Sequence, residues 1–117
     1  MKRDMNLIKL ILEQLEERCG EERPVVLPPS LFRGHSPEEV DGHLRLILER
    51  GLAKGEFSFG GYQIYSLTWE GHDFLDNSRN SEVWNAAMKA AGGLSFGVFQ
   101  KVLEAAATGV AMKALGM

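Results

Sequence analysis

Hydrophobic positions near the start of the chain recur every three to four residues: Met5, Ile8, Leu12 and Leu15, with Ile11 beside them, while Lys9, Glu13, Glu16 and Glu17 fill the intervening positions. That period is one face of an amphipathic helix, and Asp4 is placed to cap it. Gly20 is expected to stop it. The β-branched pair Val25-Val26 supports a short strand at most, because Pro28 and Pro29 follow and cannot continue a ladder; residues 28–35 read as a loop. Ser36, Pro37 and Glu39 spell a capping box with proline in the first turn, and Val40, Leu44, Ile47 and Leu48 give the next helix its core stripe. Gly51 ends that helix at residue 50, with Leu52 folding back on the last turn.

Two runs, 53–59 and 62–67, flank Gly60-Gly61, a pair that supplies positive φ at little steric cost and predicts a tight hairpin. Thr68 caps a following helix with Trp69 and Glu70 in its first turn and Phe74 and Leu75 directed to a core. Asn77 to Ser81 reads as a polar break. Val83, Trp84, Ala87, Met88 and Ala91 then trace another helical face ended by Gly92-Gly93, and a last helix from Ser95 carries Phe99, Val102, Leu103, Ala106 and Val110. The expected class is mainly α with a small antiparallel β-hairpin.

The order helix, strand, helix, hairpin, helix is that of a winged helix. The stretch His43-Leu44-Arg45-Leu46-Ile47-Leu48-Glu49-Arg50-Gly51-Leu52 resembles the end of a recognition helix, and Tyr65 to Leu75 (YSLTWEGHDFL) resembles the exit from a wing. More closely, Met1 to Asn6 (MKRDMN), the block Leu67 to Asp76 and Val83-Trp84-Asn85 resemble an uncharacterised family of bacterial and phage proteins, known as a domain of unknown function. The resemblance implies a prokaryotic or phage setting and supplies no catalytic residues. Residues 1–78 are expected to form the winged-helix-like domain, and 79–117 a C-terminal helical extension packing on it or on a partner chain. One departure stands out: residues 20–35 hold three prolines and no helical stripe where a helix-turn-helix needs a second helix, so the motif is truncated.

At 117 residues, 44% hydrophobic and 25% charged, the chain has the composition of one soluble globular domain. Its most apolar stretch, 105–117, is broken by Thr108, Gly109 and Lys113 and is too short to cross a bilayer, so no membrane role is expected. No export signal is legible, and the single Cys19 permits no internal disulfide, which places the chain in the cytoplasm. Net charge is −3; residues 1–80 carry 10 Lys and Arg against 14 Asp and Glu, so acid concentrates in the body. Phosphate-dominated nucleic-acid binding is disfavoured by that balance.

With Val40, Leu44 and Ile47 turned inward, the second helix presents Glu38, Asp41, Arg45, Leu46 and Glu49 to a visitor. The plain structural account is that Glu38 and Glu39 favour the helix amino terminus while Arg45 and Glu49 form a surface pair. Phe57, Phe59 and Tyr62 on the hairpin either stack on a partner or pack on the core. His35, His43 and His72 are too scattered for a metal set, Cys19 has no activating pattern around it, and no phosphate loop or nucleophile motif occurs, so neither a cofactor nor an enzymatic activity is expected. The tail stripe Phe99, Val102, Leu103, Ala106 and Val110 either folds onto its own domain or pairs with a second copy. The chain thus reads as a non-enzymatic module contacting protein or itself. The alternative is a sequence-specific DNA-binding regulator of a phage or mobile element, using Arg33, Arg45 and Lys54.

Overall fold

In a computed structural model, described over residues 1–19, 23–58 and 61–117, the chain is mainly helical with one two-stranded antiparallel hairpin. The predicted stop at Gly20, Phe59 and the Gly60 half of the turn lie outside the described residues. Two compact units, Met1–His72 and Asp73–Met117, divide inside a helix, where the sequence suggested a division after residue 78.

The first unit begins with α1, Met5–Arg18, whose Asp4 carboxylate accepts the backbone N–H groups of Asn6 and Leu7 at 2.9 and 3.2 Å. Its buried face is Met5, Leu7, Ile8, Ile11, Leu12 and Leu15, broader by Leu7 than the period alone predicts. A single 3-10 turn, Pro29–Leu31, occupies the stretch before α2, Pro37–Arg50. Leu27 and Phe32, on either side of that turn, are buried. Ser36 and Glu39 close a reciprocal capping box, and Gly51 takes φ 79°, a left-handed turn that lets the Leu52 N–H reach back to the Ile47 carbonyl at 3.0 Å.

Strands β1, Ala53–Ser58, and β2, Gly61–Leu67, pair from Ala53↔Leu67 to Ser58↔Gly61. The register slips between Lys54 and Gly55, leaving Tyr65 as the extra residue of a bulge. At Gly55 the Gln63 carbonyl comes so close that a Cβ would collide with it. The expected strand at Val25-Val26 reduces to one bridge, Val25↔Ile64, with Val25 N–H donating to the Ile64 carbonyl at 2.8 Å. Two residues on, the Tyr62 hydroxyl accepts the Leu27 N–H at 3.1 Å and donates to the Leu27 carbonyl at 3.2 Å. A side chain thus satisfies the backbone that Pro28 prevents from extending a third strand.

The helix α3, Trp69–Arg79, starts at a junction that also holds the end of α2. Thr68 N–H donates to the Leu52 carbonyl at 3.1 Å, its hydroxyl donates to the Gly51 carbonyl at 2.5 Å, and the same oxygen caps the Gly71 N–H at 3.1 Å. The Leu52 carbonyl presses on Gly71, where a Cβ would overlap it.

In the second unit, α3 runs to Arg79 and Asn80 alone separates it from α4, Ser81–Ala91. The polar break expected over 77–81 shrinks because Ser78 is buried with its hydroxyl donating to the Leu75 carbonyl at 2.7 Å, and because Asn80 caps α4. The last helix, α5, Phe96–Ala114, is capped by Ser95. Phe74, Trp84, Phe96 and Phe99 form an aromatic cluster, with Trp84 edge-on to Phe99 at 5.4 Å between centroids and Phe74 stacked on Phe96 at 5.6 Å.

Gly71→Ala is expected to destabilise the chain by about 1–3 kcal/mol, because the new methyl displaces the Leu52 carbonyl and the bond that carbonyl accepts. Gly109→Ala, in open helix, should stabilise it by about 0.5–1 kcal/mol. Urea unfolding of the two variants checks both signs.

Candidate interaction surface

Four residues of α2 are buried, namely Val40, His43, Leu44 and Ile47. His43 was not among the expected inward positions, yet it is fully enclosed. Its Nδ1–H donates to the Glu39 carbonyl at 2.7 Å, and its Nε2 accepts the Asp4 backbone N–H at 2.9 Å. Both bonds together select the neutral Nδ1–H tautomer. The ring is therefore a strut between the start of α1 and the middle of α2.

With that face inward, Glu38, Asp41, Arg45 and Glu49 are exposed and Leu46 is half-buried. Arg45 does not form the surface pair with Glu49 that helical spacing allows. Its guanidinium instead lies over the Phe57 ring of the hairpin, 4.1 Å from the centroid, and Phe57 in turn sits 5.9 Å from Tyr62. So the one cation at the centre of the α2 face is held against an aromatic ring, and Phe57 and Tyr62 are engaged within the unit. Arg33, after the 3-10 turn, and Lys54, on β1, are both exposed, so the three cations of the DNA alternative stand on a loop, a helix and a strand.

The other two histidines are engaged structurally. His35 Nδ1 contacts the Glu39 carboxylate at 3.2 Å and His72 Nδ1 contacts Glu16 at 3.5 Å. Hydrogen bonding from His35, then from the Ser36 backbone, holds the Glu39 carboxyl below its usual value. Burial pushes the Cys19 thiol up, away from the thiolate a nucleophile needs. Burial likewise raises the Tyr62 phenol, opposed by its bond to Leu27 and aided by the negative charge of Asp41. No group of three His, Cys, Asp or Glu among the described residues is arranged to hold a metal.

In the tail, the stripe expected either to fold onto its own domain or to pair with a second copy divides. Phe99 and Leu103 are buried within the chain, and Val102, Ala106 and Val110 are half-buried. The exposed large apolar residues of this region are others: Leu94, Val98, Met112, Leu115 and Met117. Among the described residues no helix is long and apolar enough to cross a membrane.

One feature escaped the sequence reading. Beside the junction of α2 and α3 lies an open groove of about 600 Å3 lined by Gly51, Lys54, Leu67, Thr68, Trp69, Glu70 and His72. Trp69 is 87% exposed at its edge. The available signal was positional: Trp69 occupies the first helical residue, with His72 and Asp73 rather than apolar residues three and four places on, so it cannot share the stripe of Phe74 and Leu75.

Residues 2–95 match the family described as Hypothetical protein (DUF2513), and the chain belongs to that family. It is also similar to a protein of Haemophilus influenzae described as an uncharacterized protein, 37% identical over 91 residues, covering 74% of this chain and 75% of that one. No solved structure matches the chain.

Because the Glu39 carboxyl titrates lower in the folded chain than its ordinary value of 4.5, its contribution to stability is present above that value and is lost as pH falls through the folded one. Comparing unfolding at neutral and acid pH, Glu39→Gln should lower stability at neutral pH and flatten the acid loss relative to the parent chain.

Proposed function

We propose that the chain is a non-enzymatic protein-interaction module with a winged-helix-like body, whose contact surface is the outward face of α2. The succession of α1, 3-10 turn, α2, hairpin and α3 supports the winged-helix-like reading, with the 3-10 turn standing where a helix-turn-helix has its second helix. A single turn gives α2 less of the scaffold that sets a recognition helix across a DNA groove.

One observation carries the choice of partner. Glu38, Asp41 and Glu49 project from α2 while Arg45 is drawn onto Phe57, so the visitor meets carboxylates. A phosphate backbone would be repelled there, whereas a protein presenting Lys or Arg is complementary. The structural engagement of the three histidines and the raised Cys19 thiol support the absence of a catalytic role. Cytoplasm is the proposed compartment, on the lone unpaired cysteine, and a bacterial or phage setting is in keeping with the Haemophilus relative. For homodimerisation through α5, which the tail stripe suggested, only Val102, Ala106 and Val110 of that stripe retain any exposure, and we assign it no contact.

Titration of labelled duplex DNA at low and at physiological salt tests this reading. No binding is expected even at low salt; tight binding that weakens steeply as salt rises would replace it with the DNA-binding alternative. In cells, a photo-crosslinker at position 41 should trap protein, and E38K/D41K/E49K should abolish the adduct. An adduct with DNA, or none, contradicts the proposal.

A further inference from the structure

Tryptophan carries one of the largest apolar surfaces of any side chain, and in folded proteins it is mostly covered. Trp69 is the most exposed large apolar side chain among the described residues, and it stands on solid ground. The turn beneath it is fixed by Thr68, bonded to both Gly51 and Leu52, and by the close seat of Gly71 on the Leu52 carbonyl. The indole therefore projects from a helix start that these contacts tie to the end of α2, next to a groove built by the same junction.

The rim of that groove holds one cation and one anion, Lys54 and Glu70, both exposed. Neither makes an ion pair among the described residues, whereas His72 beside them is engaged by Glu16. A uniformly basic or acidic partner would set one of these two charges against its own sign. A two-fold interface sets one surface patch against a copy of itself, and a patch bearing both a projection and a hollow, and both signs of charge, meets the first requirement of such self-pairing.

We propose that this face is a two-fold interface between two copies of the chain. Each Trp69 enters the groove of the other copy, and Lys54 of each pairs with Glu70 of the other. Two indoles account for roughly 300–500 Å2 of covered surface, against about 1,200–2,000 Å2 in a standard stable interface. The remainder falls to the groove walls and rim. None of the α2 residues assigned above to a protein partner takes part, so this inference and that reading fail separately.

Sedimentation of the full chain across micromolar concentrations, read together with tryptophan emission, tests it. Trp84 is buried and gives a constant background, which W69F defines. The expected result is a reversible monomer–dimer equilibrium in which the Trp69 emission shifts to the blue and its quenching by acrylamide falls as concentration rises. W69A, at an exposed position and shown folded by circular dichroism, should weaken association about tenfold or more. K54E and E70K should each weaken it, and K54E/E70K should restore it. A monomer at every concentration with Trp69 equally quenched overturns the proposal. So does open-ended assembly, a dimer indifferent to W69A, or a charge swap that fails to restore.

Discussion

The first unit is organised around a histidine that has no contact with water. His43 joins the Asp4 N–H at the head of α1 to the Glu39 carbonyl within α2, and its burial sets the rotation of α2 about its own axis. A helix advances about 100° per residue, so with 40, 43, 44 and 47 inward, positions 38, 41, 45 and 49 have nowhere to point but outward. The strut also leaves no polar atom orphaned: no buried side-chain nitrogen or oxygen among the described residues lacks a partner. An apolar residue at 43 would leave the Asp4 N–H without its acceptor, a deficit of about 1–3 kcal/mol.

From that orientation the rest of the surface follows. Once Arg45 faces outward it lies within reach of Phe57, and the cation–π contact braces the hairpin against α2 while removing the main attraction this helix could offer a phosphate. The hairpin is held from its other side by Val25 and by the Tyr62 hydroxyl, so a ribbon that would be marginal alone gains a third point of attachment. At its far end Thr68 couples the last turn of α2 to the first turn of α3. The same bonds that join these elements shape the groove beside Trp69.

Local signals carried much of this architecture in the bare sequence. The Ser36-Glu39 box, Gly51 and the Asp4 cap act within four residues, and the structure has all three where the spacing predicts them. The inward choice of Val40, Leu44 and Ile47 was legible for the same reason, and with it the exposed Glu38, Asp41 and Glu49. What stayed illegible depends on partners far away in the chain. His43 meets Asp4 across 39 residues and Tyr62 meets Leu27 across 35, and nothing in the neighbourhood of either announces the bond. Arg45 had a helical neighbour of opposite charge in Glu49, so its choice of Phe57 required knowing where the hairpin lies. Ser78 looked like part of a break because a serine in a polar run favours turns, yet a bond to the Leu75 carbonyl lets it stay in the helix. The stripe of α5 was correctly apolar, but periodicity alone does not say which of its residues, Phe99 and Leu103, a core elsewhere in the same unit consumes.

The rotation of α2 is tested most directly by long-range 1H–15N correlation spectra of the imidazole rings. The strut predicts that His43 is the Nδ1–H tautomer, with a slowly exchanging ring proton and an Nε2 shift characteristic of an acceptor. A ring protonated on Nε2, or one whose Nδ1 proton exchanges at the rate of a surface histidine, would mean that His43 does not bridge the two helices and does not hold α2 in the rotation that turns Glu38, Asp41 and Glu49 outward.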